Sequence, residues 1–112
     1  MFKRNNRLSK TKDIERVFKQ GRSYYNQFLG IKAVANNLAH SRLTVIVSLK
    51  VSKQAVQRNR LKRQLRSYLE KALPQFKGHY DLVIICLPTA VQQSFKSLTM
   101  AMQDALIKLK LL

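Results

Sequence analysis

The spacing of apolar residues along the chain predicts three amphipathic helices. The longest covers residues 53–75, where apolar side chains recur at three- and four-residue steps and therefore fall on one stripe, and Ser52 is its candidate cap. A shorter helix is expected between Thr11, a candidate cap, and Gly21, a candidate stop, and another over residues 94–109. The apolar stripe of the longest helix comprises Leu61, Leu65, Tyr68, Leu69 and Ala72.

Four segments have the patterns of β-strands. Residues 42–49 alternate apolar and polar positions, residues 28–35 form a second candidate, and residues 22–27 form a shorter one. Residues 80–87 are a continuous apolar run of strand length, which is typical of a buried strand. Because only a short polar connection separates 28–35 from 42–49, we expect these two segments to pair as an antiparallel hairpin.

The order of these elements is helix, strands, helix, strand, helix. It indicates an α+β fold, an α-β sandwich in which the helices pack on one sheet. The length of 112 residues suits one domain, 1–112, with a single core. Residues 1–10 are basic, and we expect them to be loosely ordered.

The balance of charge points to a nucleic-acid partner. The chain has 22 Lys and Arg residues against 5 Asp and Glu residues, which gives a formal net charge of +17. A protein this basic attracts polyanions, and each phosphate that it neutralises releases condensed counterions. Apolar residues make up 46% of the chain, which argues against a disordered basic tail.

The basic residues are densest on the longest predicted helix, opposite its apolar stripe. The only acid within residues 53–75 is Glu70, whereas a solvated helix face usually mixes signs because like charges on adjacent turns repel. A bound polyanion would offset this repulsion, so the face is a candidate nucleic-acid surface. Its polar residues are Arg58, Asn59, Arg60, Lys62, Arg63, Arg66 and Ser67.

The residue types needed for catalysis by the protein itself are sparse. The five acids form no evident pair, since Asp13 and Glu15 are two apart on a helix and do not face each other. His40 and His79 belong to no Cys/His cluster with zinc spacing, and the chain has no phosphate-binding glycine loop or nucleophile elbow. We therefore expect no catalytic residue and no metal bound by the protein alone.

Cys86 is the only cysteine, and it lies in the apolar run of the last predicted strand. A lone thiol excludes an intramolecular disulfide and fits a reducing compartment, so the expected location is the cytoplasm. No apolar run approaches the ~18 residues of a membrane span, and residues 1–10 lack the apolar segment of a secretory signal. We expect no membrane partner.

One stretch resembles a known family signature. Residues 47–66, VSLKVSKQAVQRNRLKRQLR, are similar to the signature of the bacterial ribonuclease P protein component, in which a strand ending in Val-Ser-x-Lys precedes a helix with Arg-Asn-Arg-x-Lys-Arg-x-x-Arg. The resemblance extends to RLSKTKDIERVFKQG at 7–21, QFLGIKAV at 27–34 and HYDLVIICLP at 79–88. It therefore covers nearly the whole chain.

The resemblance implies a protein subunit of ribonuclease P. In that family the protein assists a large catalytic RNA that removes the 5′ leader of precursor tRNA, and the RNA with its bound Mg²⁺ performs the hydrolysis. The implied partners are this RNA and precursor tRNA, with no obligate protein partner. The implied fold, ribosomal protein S5 domain 2-like, has a mostly antiparallel sheet with a left-handed β-α-β crossover, which is a rare connection.

The resemblance also assigns roles to individual residues. It implies that the basic helix faces the catalytic RNA, and that a cleft between the first helix and the sheet holds the single-stranded leader. Phe18 either stacks on a leader base or belongs to the core. Ile14 and Ile31 stand where many members carry aromatics, so less stacking is expected, while Leu49 and Ser52 replace a usual lysine and glycine. The implied RNA-binding residues are Lys53, Arg58, Asn59, Arg60, Lys62, Arg63 and Arg66, and the implied cleft residues are Ile14, Phe18, Ile31 and Lys50.

Three other functions fit parts of the sequence. A different basic RNA-binding module, such as a ribosomal or RNA-chaperone protein without a nuclease role, would share the charge. A helix-turn-helix DNA binder would need a second helix just before the basic one, where residues 42–49 alternate like a strand. A stand-alone nuclease would need metal ligands that the five acids do not evidently supply.

Overall fold

The structure, a computed structural model, describes residues 4–112 as three helices and a four-stranded sheet. The expectation for residues 1–10 is therefore tested only from residue 4 onward, and there Leu8 is buried and donates its N–H to the carbonyl of Leu43. The helices are α1 (Thr11–Gln20), α2 (Ala55–Ala72) and α3 (Phe95–Lys108). The strands are β1 (Arg22–Tyr25), β2 (Leu29–Ala35), β3 (Arg42–Ile46) and β4 (Tyr80–Cys86).

The sheet has the strand order β1-β2-β4-β3. The pairs β1–β2 and β2–β4 are antiparallel and β3–β4 is parallel, which confirms a mostly antiparallel sheet. The connection from β3 to β4 runs through α2 and forms the predicted β-α-β unit, whose hand stays a prediction.

The predicted hairpin between residues 28–35 and 42–49 is wrong, because β4 lies between β2 and β3. Strand β4 is mostly apolar and is buried on both faces, so it takes an interior position in the sheet, next to β2. The hairpin forms instead between β1 and β2. In its turn, the Asn26 side-chain oxygen accepts hydrogen bonds from the N–H groups of Phe28 and Leu29.

The main core lies on the sheet face that α2 and α3 cover. Alternate residues of the strands point to this face, as the two-residue period of a strand requires. Three leucines of α2 pack against them, which confirms the apolar stripe predicted for this helix. The core includes Leu29, Ile31, Leu43, Val45, Leu82, Ile84, Leu61, Leu65, Leu69, Leu98, Met102 and Leu106.

The opposite face of the sheet is covered in part by α1. Val17 of α1 and Val83 of β4 are fully buried there together with Leu8. Gly21 ends α1, as predicted, because a side chain at this position would overlap the carbonyl oxygen of Val17. The remaining contacts of this smaller core come from Ile14, Val34, Ile46 and Ile85.

The two predicted helix caps are wrong, and the side-chain cap that the structure shows is on α3. Ser94 caps α3 by accepting a hydrogen bond from the N–H of Ser97. Thr11 does not cap α1, since it is already the first helical residue. Ser52 lies before the start of α2 and accepts from the N–H of Gln54, so it shapes the preceding loop rather than the helix end.

A buried carboxylate joins α1 to the sheet. The guanidinium of Arg42 donates to both oxygens of Asp81 at 2.9 and 2.6 Å, and the Asn36 side-chain amide donates to Asp81 at 2.8 Å. Arg42 also donates to Asp13 of α1 at 3.1 Å, and Arg16 of α1 donates to Asp81 at 3.4 Å. Burial alone would raise the pKa of Asp81, but the hydrogen bonds from Arg42 and Asn36 outweigh it and hold that pKa below its usual value.

Candidate nucleic-acid interface

The basic face of α2 is exposed, and the opposite face is buried. Asn59, Arg63 and Arg66 are exposed, and Lys62 is half-buried. The leucines one turn away, Leu61 and Leu65, are almost fully buried. The two faces predicted for this helix are therefore present, and the cations stand on a helix that the core holds in place.

Two arginines of this surface are anchored to neighbouring loops. Arg58 donates to the carbonyl of Ser52 at 2.9 Å, just before the helix. Arg60 donates to the carbonyl of Val91 at 2.8 Å, in the segment that leads to α3. Arg60 is half-buried and lies near the border of the basic face. Each guanidinium keeps further N–H donors, so both cations can still bind a phosphate in a fixed orientation.

The connection from β3 to α2 adds cations beside this surface. Strand β3 ends at Ile46, earlier than predicted, because a turn follows in which the N–H of Val51 donates to the carbonyl of Ser48. Lys50 and Lys53 are both exposed in this connection. They extend the positive surface beyond the N-terminal end of α2.

The second candidate surface lies on the α1 side of the sheet. Phe18 of α1 is 44% exposed and Tyr25 of β1 is 48% exposed, so neither ring belongs to the core. The ammonium nitrogen of Lys32 lies 5.7 Å from the centre of the Phe18 ring and 5.8 Å from that of Tyr25. Ile14 is half-buried nearby and packs against the smaller core.

Ile31, predicted to line this cleft, does not reach it. Its side chain is 0% exposed and lies in the main core, on the opposite face of the sheet. Neighbouring strand residues point to opposite faces, so the β2 residue on the α1 side is Lys32. Lys32 and Tyr25 are absent from the predicted cleft residues. The alternation of Leu29, Ile31 and Ala33 in β2 could have placed Lys32 on the α1 side, whereas the position of Tyr25 depends on the pairing of β1 with β2.

The acids and the cysteine do not form a catalytic arrangement. In the described part of the chain, no three His, Cys, Asp or Glu residues lie close enough together to hold a metal ion. Asp13 and Asp81 both accept hydrogen bonds from Arg42. Cys86 is buried, and burial raises the pKa of its thiol to about 11, so it is not a nucleophile at neutral pH.

Across residues 4–112, no helix combines the length and the apolar character that crossing a bilayer requires.

Comparison with known proteins identifies relatives along the whole chain. A sequence model of the family described as Ribonuclease P matches residues 2–110. A protein of Pseudanabaena sp. named "Ribonuclease P protein component" is 34% identical over 113 residues, which cover 100% of this chain and 97% of that protein. A protein of Synechocystis sp. with the same name is 41% identical over 86 residues, covering 76% of this chain and 69% of its own length.

Solved structures share the fold. The RNase P protein of Staphylococcus aureus, in a mutant with defective mRNA degradation activity, superposes with a TM-score of 0.90 at 25% identity, covering 96% of this chain and 91% of that one. The RNase P protein from Thermotoga maritima in complex with 1-(4-fluorophenyl)-2-thiourea gives a TM-score of 0.80 at 25% identity, covering 88% of this chain and 94% of that one. These similarities confirm the α+β fold.

Proposed function

This chain belongs to the bacterial ribonuclease P protein family, and from that premise we propose how its two surfaces serve the enzyme. As a member it is the protein subunit of ribonuclease P, the ribonucleoprotein that removes the 5′ leader of precursor tRNA, and its partner is the ribonuclease P RNA. The main support for this function is the match of the Ribonuclease P family model to residues 2–110. That match also favours this function over another basic RNA-binding module.

The basic face of α2 is proposed to dock on the catalytic RNA. Arginine forks suit bidentate contact with phosphate oxygens, lysines act as point charges, and an asparagine can donate to and accept from a base edge. The exposure of this face and its single acid, Glu70, support the proposal. The residues assigned to the contact are Lys53, Arg58, Asn59, Arg60, Lys62, Arg63 and Arg66.

The leader of precursor tRNA is proposed to lie on the α1 side of the sheet. The exposed ring of Phe18 favours stacking on a leader base over a purely structural role. Ile14 would add van der Waals contact beside it. Lys50, which is exposed in the connection from β3 to α2, is assigned to a leader phosphate at the α2 end of the path. Ile31 is left out of this surface because it is buried in the main core.

The protein is proposed to contribute binding, with Mg²⁺ held mainly by the RNA. The described residues do not fit a protein-held Mg²⁺ site, because Asp13 and Asp81 are engaged by a guanidinium and no other acid lies with them. The cations would instead screen the repulsion between two RNA molecules, which raises affinity for substrate and for metal ions. We expect this assembly in the cytoplasm, where the buried thiol of Cys86 would stay reduced.

Single-turnover cleavage of a precursor tRNA, with and without the protein, tests this division of roles. The catalytic RNA should cleave faster with the protein at low Mg²⁺, and the difference should shrink as Mg²⁺ and substrate reach saturation. A cleavage step that still depends strongly on the protein at saturation would contradict the proposal. Absence of any stimulation at low Mg²⁺ would favour a different RNA-binding role.

A further inference from the structure

Two exposed aromatic rings flank one ammonium group on the α1 side of the sheet. Phe18 comes from α1, Tyr25 from the edge strand β1 and Lys32 from β2, so three separate elements bring these side chains together. The Lys32 nitrogen lies within 6 Å of both ring centres. Since both rings lie beside the same ammonium group, an extended ligand bound against one ring would pass close to the other.

The ring of Tyr25 has a site built for it on β2. Tyr25 and Gly30 are opposite each other in the antiparallel pair β1–β2. A side-chain carbon on Gly30 would overlap the Tyr25 ring, so the ring lies directly on the glycine backbone. The glycine therefore lets the ring approach the β2 backbone closely, while Tyr25 remains 48% exposed.

Packing against Gly30 accounts for the position of the Tyr25 ring, but it does not account for two exposed rings beside one cation. Burying apolar area stabilises a fold, and here two rings remain nearly half exposed although the smaller core lies beside them. Exposed rings next to a cation are a combination that binds single-stranded nucleic acid, because bases stack on the rings and a phosphate pairs with the positive charge. The chemistry of this cluster therefore matches a strand of unpaired nucleotides.

We propose that Tyr25 is a second stacking residue for the leader, that Gly30 is the platform that positions its ring, and that Lys32 binds a phosphate of the nucleotides stacked on Phe18 and Tyr25. The inference rests on the proposed leader-binding role of this face. The second aromatic of the cleft thus comes from the edge strand β1. It replaces the stacking that Ile14 and Ile31 cannot supply.

The experiment compares Tyr25→Ala with Tyr25→Phe and with Phe95→Ala in the reconstituted holoenzyme. Phe95 is a matched control, because it is also aromatic and 46% exposed but lies on α3, against the other face of the sheet. Equilibrium affinity is measured for two precursor tRNAs that differ only in the leader, which has either several nucleotides or a single one.

Tyr25→Ala should lower affinity for the longer leader roughly 5- to 140-fold, the loss that corresponds to one stacked base. Affinity for the single-nucleotide leader should be unchanged, and Tyr25→Phe should retain wild-type affinity for both substrates. Phe95→Ala should have no effect. Equal losses for both leaders, or no loss for the longer one, would overturn the role of Tyr25.

Gly30→Ala provides an independent variant, because it keeps the tyrosine and displaces its ring. Like Tyr25→Ala, it should lower affinity for the longer leader and leave affinity for the single-nucleotide leader unchanged. A thermal unfolding curve of the variant serves as the control that the protein is folded. Lys32→Met should lower the salt dependence of longer-leader binding by about 0.7 in the log–log slope, the value for one phosphate on a single strand. If the Gly30→Ala holoenzyme bound the longer leader with wild-type affinity, the proposed role of Gly30 in positioning the Tyr25 ring would be contradicted.

Failure of the underlying function would look different. If the wild-type holoenzyme bound both leaders equally well, the α1 side would not be a leader surface. Both the proposed leader-binding role of this face and the stacking role of Tyr25 would then be wrong. If the wild type discriminated between the leaders and Tyr25→Ala discriminated equally, the leader surface would stand and the role of Tyr25 alone would be overturned.

Discussion

The carboxylate of Asp81 helps to hold α1 in place on the sheet, through Arg16 and through the Arg42–Asp13 pair. Its side chain is 0% exposed, and its partners come from α1, β3 and the connection between β2 and β3. A buried carboxylate is tolerated only when its oxygens are fully hydrogen-bonded, which Arg42 and Asn36 achieve here. The position of Phe18, on the same helix as Arg16 and Asp13, therefore depends on this residue.

Replacing Asp81 should destabilise the protein strongly. Asp81→Asn should lower the free energy of unfolding by about 3 kcal/mol, because the guanidinium of Arg42 loses its main buried partner. Urea denaturation followed by circular dichroism measures this change. The control Asp104→Asn, whose exposed carboxylate accepts a hydrogen bond from the hydroxyl of Tyr24, should change stability by about 0.5 kcal/mol or less. Equal effects of the two substitutions would show that burial does not matter here.

The contribution of Asp81 should also depend on pH. Its pKa in the folded protein lies below the usual 3.8, so its ionised form is stabilised by folding. The contribution is present above about pH 4 and is lost as the pH falls below 3.8 through the folded-state pKa. The stability difference between wild type and Asp81→Asn should therefore narrow on acidification. A difference that stays constant from about pH 5 to about pH 2 would refute this linkage.

The cleft residues show what a sequence pattern can and cannot predict at this scale. The exposure of Phe18 could not be predicted from the helical period, because Phe18 lies one turn from half-buried Ile14 and next to buried Val17. The prediction for Ile31 is wrong because an error of one position in a strand reverses the side-chain direction. Tyr25 and Lys32 meet across β1 and β2, and such a contact depends on the pairing register, which no local pattern contains.

At the scale of elements, α2 combines a structural face with a charged one. Leu65 is 1% exposed on the structural face, whereas Val56 is 81% exposed at the start of the same helix. Leu65→Ala should lower the free energy of unfolding by about 2–5 kcal/mol, because it leaves a cavity in the main core. Val56→Ala should change it by about 0.5 kcal/mol or less. Chemical denaturation of both variants measures the contrast, and similar values would contradict the assignment of the two faces.

The charged face of α2 should determine affinity for the catalytic RNA. The double substitution Arg63→Glu and Arg66→Glu should weaken binding and lower the slope of log affinity against log salt by about one for each phosphate that the variant no longer neutralises. Filter binding over a range of salt concentrations measures both quantities. A double reversal that leaves affinity and slope unchanged would remove α2 from the interface.

A matched control separates this effect from net charge. Lys108→Glu combined with Lys96→Glu changes the formal charge by the same amount, but both residues lie on α3. This control should retain most of the affinity. An equal loss in both double variants would mean that total charge, and not the α2 face, controls binding.

The elements themselves are predictable from the sequence, and their arrangement in the sheet is not. Hydrophobic periodicity locates all three helices and four strands, because it depends on neighbours within one turn or one strand. The placement of β4 between β2 and β3 depends on contacts between residues far apart in the chain. A short connection between two strands favours a hairpin locally, but the apolar β4 is stabilised more by the central position.

For the whole molecule, the net charge of +17 opposes folding while it favours RNA binding. Raising the sodium chloride concentration should therefore increase the free energy of unfolding and decrease RNA affinity. The Arg63→Glu and Arg66→Glu protein, whose charge is lower by four, should show a smaller salt effect on stability. Urea denaturation at several salt concentrations tests this, and a wild-type stability that falls with salt would contradict it.

Strand β4, one of the two interior strands of the sheet, is also the last of the four in the chain. Because β3 pairs with β4 and not with β2, β3 cannot join the sheet before residues Tyr80–Cys86 have been synthesised. During translation, the arginine-rich segment consequently leaves the ribosome ahead of the strand that completes its support. A polyanion attracts this cationic stretch even before it is compact, and an RNA that binds the folded form more tightly than the unfolded chain shifts the equilibrium towards the folded form.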